Sequence, residues 1–167
     1  MLLLGNILAL VGCAIMVAVG FIKKKEQVLL VQCGQLAFMG ASNLALGGIS
    51  GAISNLLGIA RNLIFAKTRG SWWLKAIFIA VQIAFTALNW NGRIIEVLPI
   101  AATVVFVWFL DTKSDVTFKL VNIAAMVMWL VYDWNYRNYV AFTADILTIL
   151  SNCVAVAGLM EQRKAPL

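Results

Sequence analysis

Histidine is absent from the sequence, and only three cysteines and two prolines occur among its 167 residues. The cysteines form no CxxC pair, so the sequence offers neither a set of metal ligands nor a redox motif. The sequence shows no arrangement of a serine or cysteine with a catalytic base, as a nucleophilic enzyme would require. We therefore expect no enzymatic activity, no metal and no cofactor.

Charge is also scarce. Charged residues make up 12% of the chain, whereas hydrophobic residues make up 63% and the mean hydropathy is +0.94. A soluble domain of this length could not bury so much apolar surface, because about half apolar is already ordinary for globular chains. The composition therefore predicts one polytopic helical membrane domain over residues 1–167.

The apolar residues form seven runs, each close to the ~20 residues that cross a bilayer. The runs are approximately 2–22, 28–46, 48–66, 72–90, 94–110, 116–134 and 139–159. The fourth run carries Trp72 and Trp73 at one end and Trp90 at the other, as suits the two membrane interfaces. We predict an all-α transmembrane fold of seven helices in a 3+1+3 arrangement, with a linker helix joining two parallel triple-helix bundles.

The basic residues predict the orientation. If the amino terminus is outside, only Arg93 and Arg137 fall at outer helix ends. Ten fall at cytoplasmic ends: Lys23, Lys24, Lys25, Lys67, Arg69, Lys75, Lys113, Lys119, Arg163 and Lys164. This positive-inside bias predicts an outer amino terminus and a cytoplasmic carboxyl terminus. Because these charges cluster at helix ends and form no basic stripe, we expect the lipid bilayer and no nucleic acid as a partner.

Aligning residues 2–69 with residues 92–159 without gaps, at an offset of 90, indicates an internal repeat. Residues 72–90 would then form the linker helix between the two copies. Six polar positions then coincide: Asn6 with Glu96, Lys23 with Lys113, Gln32 with Asn122, Asn43 with Asp133, Asn55 with Asp145, and Asn62 with Asn152. Polar side chains are rare in membrane helices because each costs free energy in hydrocarbon. Their coincidence predicts two parallel structural repeats, as in some transporters.

The coinciding polar faces predict a pocket at the repeat interface. Its predicted solute-binding residues are Asn55, Asn62, Asp145, Asn152, Asn122, Gln32 and Trp129. The alternative is that small and amide side chains only hold helices together. We favour that interpretation for Gly51, Gly58, Ala141 and Gln35.

Four further residues are candidates for gating or charge pairing. Pro99 removes a backbone donor from the fifth helix and is either a static kink or a hinge. Glu96 and Asp133 stand near outer helix ends, as gate residues or as plain interface residues. Arg61 either pairs with Asp145 or extends to the cytoplasmic interface.

The stretch Ser50–Asp111 contains ISNLLGIARNLIFAKTRGSWW, LKAIFIA and IEVLPIAATVV. With these segments the chain resembles the YgjV-type bacterial inner-membrane family, over most of its length. The resemblance implies a relation to the SWEET, PQ-loop and PnuC-like small-solute carriers, which share a 3+1+3 plan. SWEET-like repeats carry hinge prolines in both halves, whereas here Ala9 occupies the place that matches Pro99. The resemblance therefore implies the fold but not symmetric rocking of both halves.

Two functions remain open at this point. The first is a carrier or facilitator of a small polar solute in the bacterial inner membrane. The carboxylates would favour a neutral or cationic solute, sugar-like or nucleoside-like, with proton coupling through Asp145. The second is a membrane binding or signalling protein that shares the fold without transport. A homo-oligomer is compatible with either.

Overall fold

The computed structural model describes residues 1–19, 25–67, 71–89, 92–109, 112 and 114–164. Within these ranges the chain is helical and contains no strand. The helices are α1 (Leu2–Val19), α2 (Lys25–Leu46), α3 (Ile49–Lys67), α4 (Trp72–Leu88), α5 (Val97–Trp108), α6 (Asp115–Asn135) and α7 (Tyr139–Lys164), with a short 3-10 helix at Ile94–Glu96. The predicted all-α fold of seven helices is thus confirmed.

Four helical segments are long and apolar enough to cross a membrane. They are Leu29–Leu46, Ile49–Lys67, Val116–Asn135 and Tyr139–Glu161. The apolar segments Leu2–Val17, Trp72–Leu88 and Ile94–Trp108 are shorter. Trp90 and the basic residues Lys23, Lys24, Arg69 and Lys113, which entered the topology prediction, lie outside the described residues.

The side chains are arranged with apolar groups outside and polar groups inside. Large exposed residues include Leu3, Leu56, Ile77 and Val154, whereas Asn43 and Gln82 are fully buried. A water-soluble protein would have the opposite arrangement, since apolar burial drives its folding. An apolar exterior is what a helical bundle presents to lipid, where polar groups must find partners inside the protein.

Helix packing encloses the polar interior in a ring. Going around the ring, α1 contacts α2, α2 contacts α3, α3 contacts α5, α5 contacts α6, α6 contacts α7, and α7 returns to α1. Helix α4 lies outside this ring against α3 and α5. Its buried stripe consists of Phe78, Gln82 and Thr86, four residues apart, and the Gln82 amide donates a hydrogen bond to Ser54 Oγ of α3.

The α2–α3 and α6–α7 turns have the same backbone form. Both place a residue with positive φ within two residues of the end of the first helix, Gly47 at 83° and Arg137 at 57°. The next N–H bonds back to the carbonyl five residues earlier, Gly48 to Asn43 at 2.8 Å and Asn138 to Asp133 at 2.9 Å. This is the Schellman helix ending. Each position in one turn is 90 residues from its counterpart in the other.

Pro99 does not lie inside a long fifth helix, as the sequence suggested. Helix α5 begins at Val97, so Pro99 occupies its first turn, preceded by the 3-10 helix Ile94–Glu96. Proline is tolerated in a first turn, where the backbone N–H has no intrahelical acceptor. The proline therefore removes no hydrogen bond from the interior of α5.

The close approach of α3 to its neighbours at Gly51 gives a first prediction. A Cβ atom at this position would lie 2.7 Å from both Asn43 Nδ2 and Tyr132 Cε1. Asn43 and Tyr132 are each fully buried, so neither side chain can move aside easily. We expect Gly51→Ala to destabilise the protein by about 1–3 kcal/mol through overpacking, as a lowered melting temperature of the purified protein in detergent.

Gly158 of α7 is the matched control, because a Cβ there would meet no atom within 4 Å. Gly158→Ala should leave the melting temperature unchanged or raise it, since alanine favours the helix by up to ~1 kcal/mol. Equal destabilisation by the two substitutions would contradict the packing at Gly51.

Candidate functional site

A cavity of about 470 Å³ lies inside the ring of helices. Each of the six ring helices contributes to its lining, and α4 contributes none. The polar lining residues are Gln32, Gln35, Ser54, Asn55, Arg61, Asn62, Thr103, Asn122, Asp133, Asp145 and Thr148. The aromatic ones are Phe65, Phe106, Phe118 and Trp129. Both the volume and the mixture of apolar walls with polar groups are typical of small-molecule sites.

Six of the seven predicted solute-binding residues line this cavity. They are Gln32, Asn55, Asn62, Asn122, Trp129 and Asp145. Asn152 is absent from the lining and is buried at the back of α7, where its amide donates to Thr148 O of the same helix at 2.8 Å. An amide that bonds to its own helix satisfies itself locally and has no need of a cavity.

One side of the cavity is organised around Arg61. Its Nε and Nη2 atoms each donate to Asn62 Oδ1 at 3.2 Å. The Asn62 amide in turn donates to Gln32 Oε1 at 3.3 Å, across to α2. The guanidinium also lies over the Phe106 ring, 5.4 Å from its centroid, in a cation–π contact. Helices α2, α3 and α5 thus hold the positive charge at the cavity wall.

The other side carries two carboxyl groups. Asp133 of α6 and Asp145 of α7 are hydrogen-bonding neighbours. Asp133 Oδ1 also accepts from Asn138 Nδ2 at 3.3 Å, whereas the buried Asp145 Oδ2 meets no N–H donor among the described residues. Two carboxylates so close repel each other, and the arrangement is stable when they share one proton. We call these two residues the carboxyl pair.

The predicted ion pair between Arg61 and Asp145 is not formed in this structure. Arg61 has Asn62 and Phe106 as its neighbours, and Asp145 has Asp133. Both residues line the cavity but on different walls. Asp133, predicted as a gate residue, is therefore a cavity residue and the true neighbour of Asp145.

Next to the carboxyl pair, two buried polar residues lie just outside the cavity lining. Ser42 and Asn138 are fully buried. Ser42 Oγ donates to Gly5 O at 2.7 Å, and Asn138 Nδ2 donates to Ser42 Oγ at 3.3 Å. These bonds connect α1 and α2 to the α6–α7 turn. We call Ser42 and Asn138 the polar layer.

Two side chains also cap helices from the other half of the chain. Asn6 Oδ1 of α1 accepts from the N–H of Val140, the second residue of α7, at 3.2 Å. Glu96 Oε2, just before α5, accepts from the N–H of Ser50, the second residue of α3, also at 3.2 Å. The two contacts are each other's counterpart at the 90-residue offset, and we call them the crossed caps. Glu96, a predicted gate residue, thus lies outside the cavity as a helix cap.

Several cavity residues were not predicted from the sequence. Gln35 was assigned to helix packing, although it lies on the face of α2 that Gln32 defines. Its helical spacing from Gln32 was the available signal. Phe106 and Phe118, whose ring centroids are 6.0 Å apart, had no such signal, because aromatic residues are equally common on lipid-facing surfaces.

Comparison with known proteins gives the family. No curated protein and no solved structure matches the chain. A family model described as "Bacterial inner membrane protein" (Imp-YgjV) matches residues 3–163, nearly the whole chain. Together with several apolar helices, this match makes the chain a multi-pass inner membrane protein. The chain therefore belongs to the YgjV family of bacterial inner membrane proteins.

Proposed function

We propose that this protein is a carrier or facilitator that moves a small polar solute across the inner membrane. The observation that supports this most is the cavity of about 470 Å³ inside a ring of helices whose exterior is apolar. Polar side chains in membrane helices are costly unless they meet one another, water or a ligand. A lining with amides, carboxyls and one guanidinium is suited to a solute that leaves and enters from water.

The 3+1+3 arrangement is part of this proposal. In the ring, α1 stands opposite α5, α2 opposite α6, and α3 opposite α7, so each helix faces its counterpart from the other bundle. Helix α4 lies outside, where a linker helix would reverse the direction of the chain. The equivalent turns and the crossed caps support two like-oriented bundles around a shared cavity, as in SWEET-like carriers. The outer position of the amino terminus belongs to the same proposal.

Transport would require the polar layer to open. In this structure Ser42, Asn138 and the crossed caps join the two bundles. A carrier alternates which end is accessible, largely by moving one repeat against the other. We propose that the second state of the carrier separates these contacts, so that the carboxyl pair faces the opposite side of the membrane.

The alternative is a membrane binding or signalling protein without transport. A tightly packed centre between α3 and α7 would favour it. Instead, Asn55 and Gly58 of α3 and Asp145 and Thr148 of α7 border one open cavity, which favours a carrier.

Trp129 provides a direct test with a matched control on the same helix. Trp129 lines the cavity, whereas Trp134 is 60% exposed on the exterior of α6. Trp129→Ala should reduce solute uptake about tenfold, because loss of an aromatic contact of about 1.4 kcal/mol corresponds to that factor. Trp134→Ala should change uptake less than twofold.

The measurement is uptake of radiolabelled glucose, uridine and 5-aminopentanoate into proteoliposomes, with protein-free liposomes as the baseline. A carrier should give saturable uptake of at least one probe. If none of the three is taken up, or if both tryptophan variants transport alike, the proposed role of the cavity is wrong.

A further inference from the structure

We propose that the cavity recognises a zwitterionic solute whose carboxylate and ammonium groups are well separated, such as an ω-amino acid. Arg61 would bind the carboxylate, and the carboxyl pair of Asp133 and Asp145 would bind the ammonium. This inference rests on the proposed function, because it assigns the solute class of the same cavity. It departs from the neutral or cationic solute that the sequence suggested.

Arg61 has few hydrogen-bond acceptors around its guanidinium. A guanidinium has five N–H groups, and among the described residues only Nε and one group on Nη2 find an acceptor, in both cases the neutral Asn62. No carboxylate of the described residues pairs with Arg61; its ionisable neighbour is the Cys33 thiol. Buried charges in proteins are paired, because an isolated one loses much hydration energy. An anionic group of the solute would supply the missing partner.

The carboxyl pair lacks a cationic partner among the described residues. With one shared proton it carries one negative charge, and no lysine or arginine bonds to it among the described residues. Asn138 contributes an amide to Asp133 Oδ1, and Asp145 Oδ2 has no N–H donor in the same part of the chain. A primary ammonium, with three N–H donors, would satisfy both the charge and the free oxygen.

The same positions in the first bundle show that the fold does not require this charge. The counterparts of Asp133 and Asp145 at the 90-residue offset are Asn43 and Asn55, and both are buried amides. A neutral pair is therefore compatible with the same helix geometry. The negative charge in the second bundle needs another reason, and cation binding in the cavity provides one.

The distance between the two charges sets the length of the solute. In the proposed arrangement of two equivalent bundles, Asn55 of α3 stands at the same depth as its counterpart Asp145. Arg61 lies six residues further along α3, which gives an axial separation of about 9 Å at 1.5 Å per residue. Consistent with this separation, Arg61 contacts Asn62 and Phe106, whereas Asp145 contacts Asp133. An α-amino acid, whose two charges flank one carbon, is too short to reach both. A chain of several methylene groups would span them along the apolar wall.

The binding test uses 5-aminopentanoate and two analogues that each lack one charge, pentanoate and pentylamine, together with glycine as the short zwitterion. Binding is followed by the melting temperature of the purified full-length protein in detergent, since a ligand stabilises the state that binds it. We expect 5-aminopentanoate to raise the melting temperature. Each of the other three compounds should need at least a tenfold higher concentration to give the same rise. Equal effectiveness of pentylamine, pentanoate or glycine would overturn the inference.

Substitutions test which charged group of the solute each site binds. In Arg61→Gln, 5-aminopentanoate should raise the melting temperature no more effectively than pentylamine. Arg61→Lys should retain part of the difference between the two compounds, because the positive charge remains. In the double variant Asp133→Asn with Asp145→Asn, 5-aminopentanoate should raise the melting temperature no more effectively than pentanoate. Asn152→Ala, outside the cavity, should bind 5-aminopentanoate like the wild type. If Arg61→Gln or the carboxyl-pair variant binds the zwitterion unchanged, the assignment of that end is wrong.

Failure of this inference is distinguishable from failure of the proposed function. Binding of 5-aminopentanoate without its uptake into proteoliposomes would support the zwitterion site and count against transport. Uptake of glucose or uridine, with no preference for 5-aminopentanoate in the binding test, would support a carrier and overturn the zwitterion site.

Discussion

Replacing Glu96 by alanine is expected to destabilise the protein by about 3 kcal/mol, because it removes the charged acceptor of two buried hydrogen bonds. Glu96 is 2% exposed, and its carboxylate accepts hydrogen bonds from the Ser50 N–H and from the Tyr136 hydroxyl. The Ser50 N–H also lies at the start of α3, where a carboxylate interacts favourably with the helix dipole. The melting temperature of the purified protein measures this effect.

The crossed caps supply a matched comparison. Asn6 makes the counterpart contact to Val140, but its side chain is neutral and only partly buried. Asn6→Ala should therefore cost about 1 kcal/mol, the usual value for loss of a helix cap. Glu96→Gln, which retains an acceptor oxygen, should fall between the two. Equal losses for Glu96→Ala and Asn6→Ala would contradict the dominant role of the buried carboxylate.

The sequence predicted the features that depend on regular spacing. Gln32 with Asn122 and Asn55 with Asp145, which coincide at the 90-residue offset, all line the cavity. The structure places helix starts at the same offset: α2 at Lys25 and α6 at Asp115, α3 at Ile49 and α7 at Tyr139. Helical period and the cost of polar groups in hydrocarbon were sufficient for this inference.

Features that depend on the partners of a single side chain were not predictable in the same way. Pro99 lies in the first turn of α5, and whether a proline kinks or begins a helix depends on where the helix starts, which sequence places poorly. Asn152 coincides with Asn62 at the 90-residue offset, yet it bonds to its own helix. A pair with Asp145 was one of two alternatives for Arg61, whereas the guanidinium bonds to Asn62 and stacks on Phe106. A long flexible side chain can reach several neighbours, and the spacing of residues along the sequence does not determine which of them it contacts.

Asp145→Asn is expected to abolish the coupling of solute movement to protons while retaining solute exchange. The proposed coupling assigns one shared proton to the carboxyl pair, which then carries one negative charge. In the variant, the introduced side-chain amide would donate to an ionised Asp133, so the hydrogen bond and the single negative charge are both preserved. What is lost is a proton that can be released. The remaining ionisable neighbour, the Cys13 thiol of α1, is not a carboxyl group and does not replace it.

The measurement uses proteoliposomes loaded with a pH-sensitive dye, to which the probe that is taken up among glucose, uridine and 5-aminopentanoate is added outside. Wild-type protein should change the luminal pH as solute enters, and Asp145→Asn should give no change, while exchange of labelled for unlabelled solute falls by no more than about threefold, or ~0.65 kcal/mol. Asn152→Ala, which lies outside the cavity lining, should preserve both signals. A luminal pH change that persists in Asp145→Asn would mean that the proton travels by another route. Loss of exchange together with the pH change would mean that solute binding requires the Asp145 carboxyl group itself, because the preserved negative charge alone would then be insufficient.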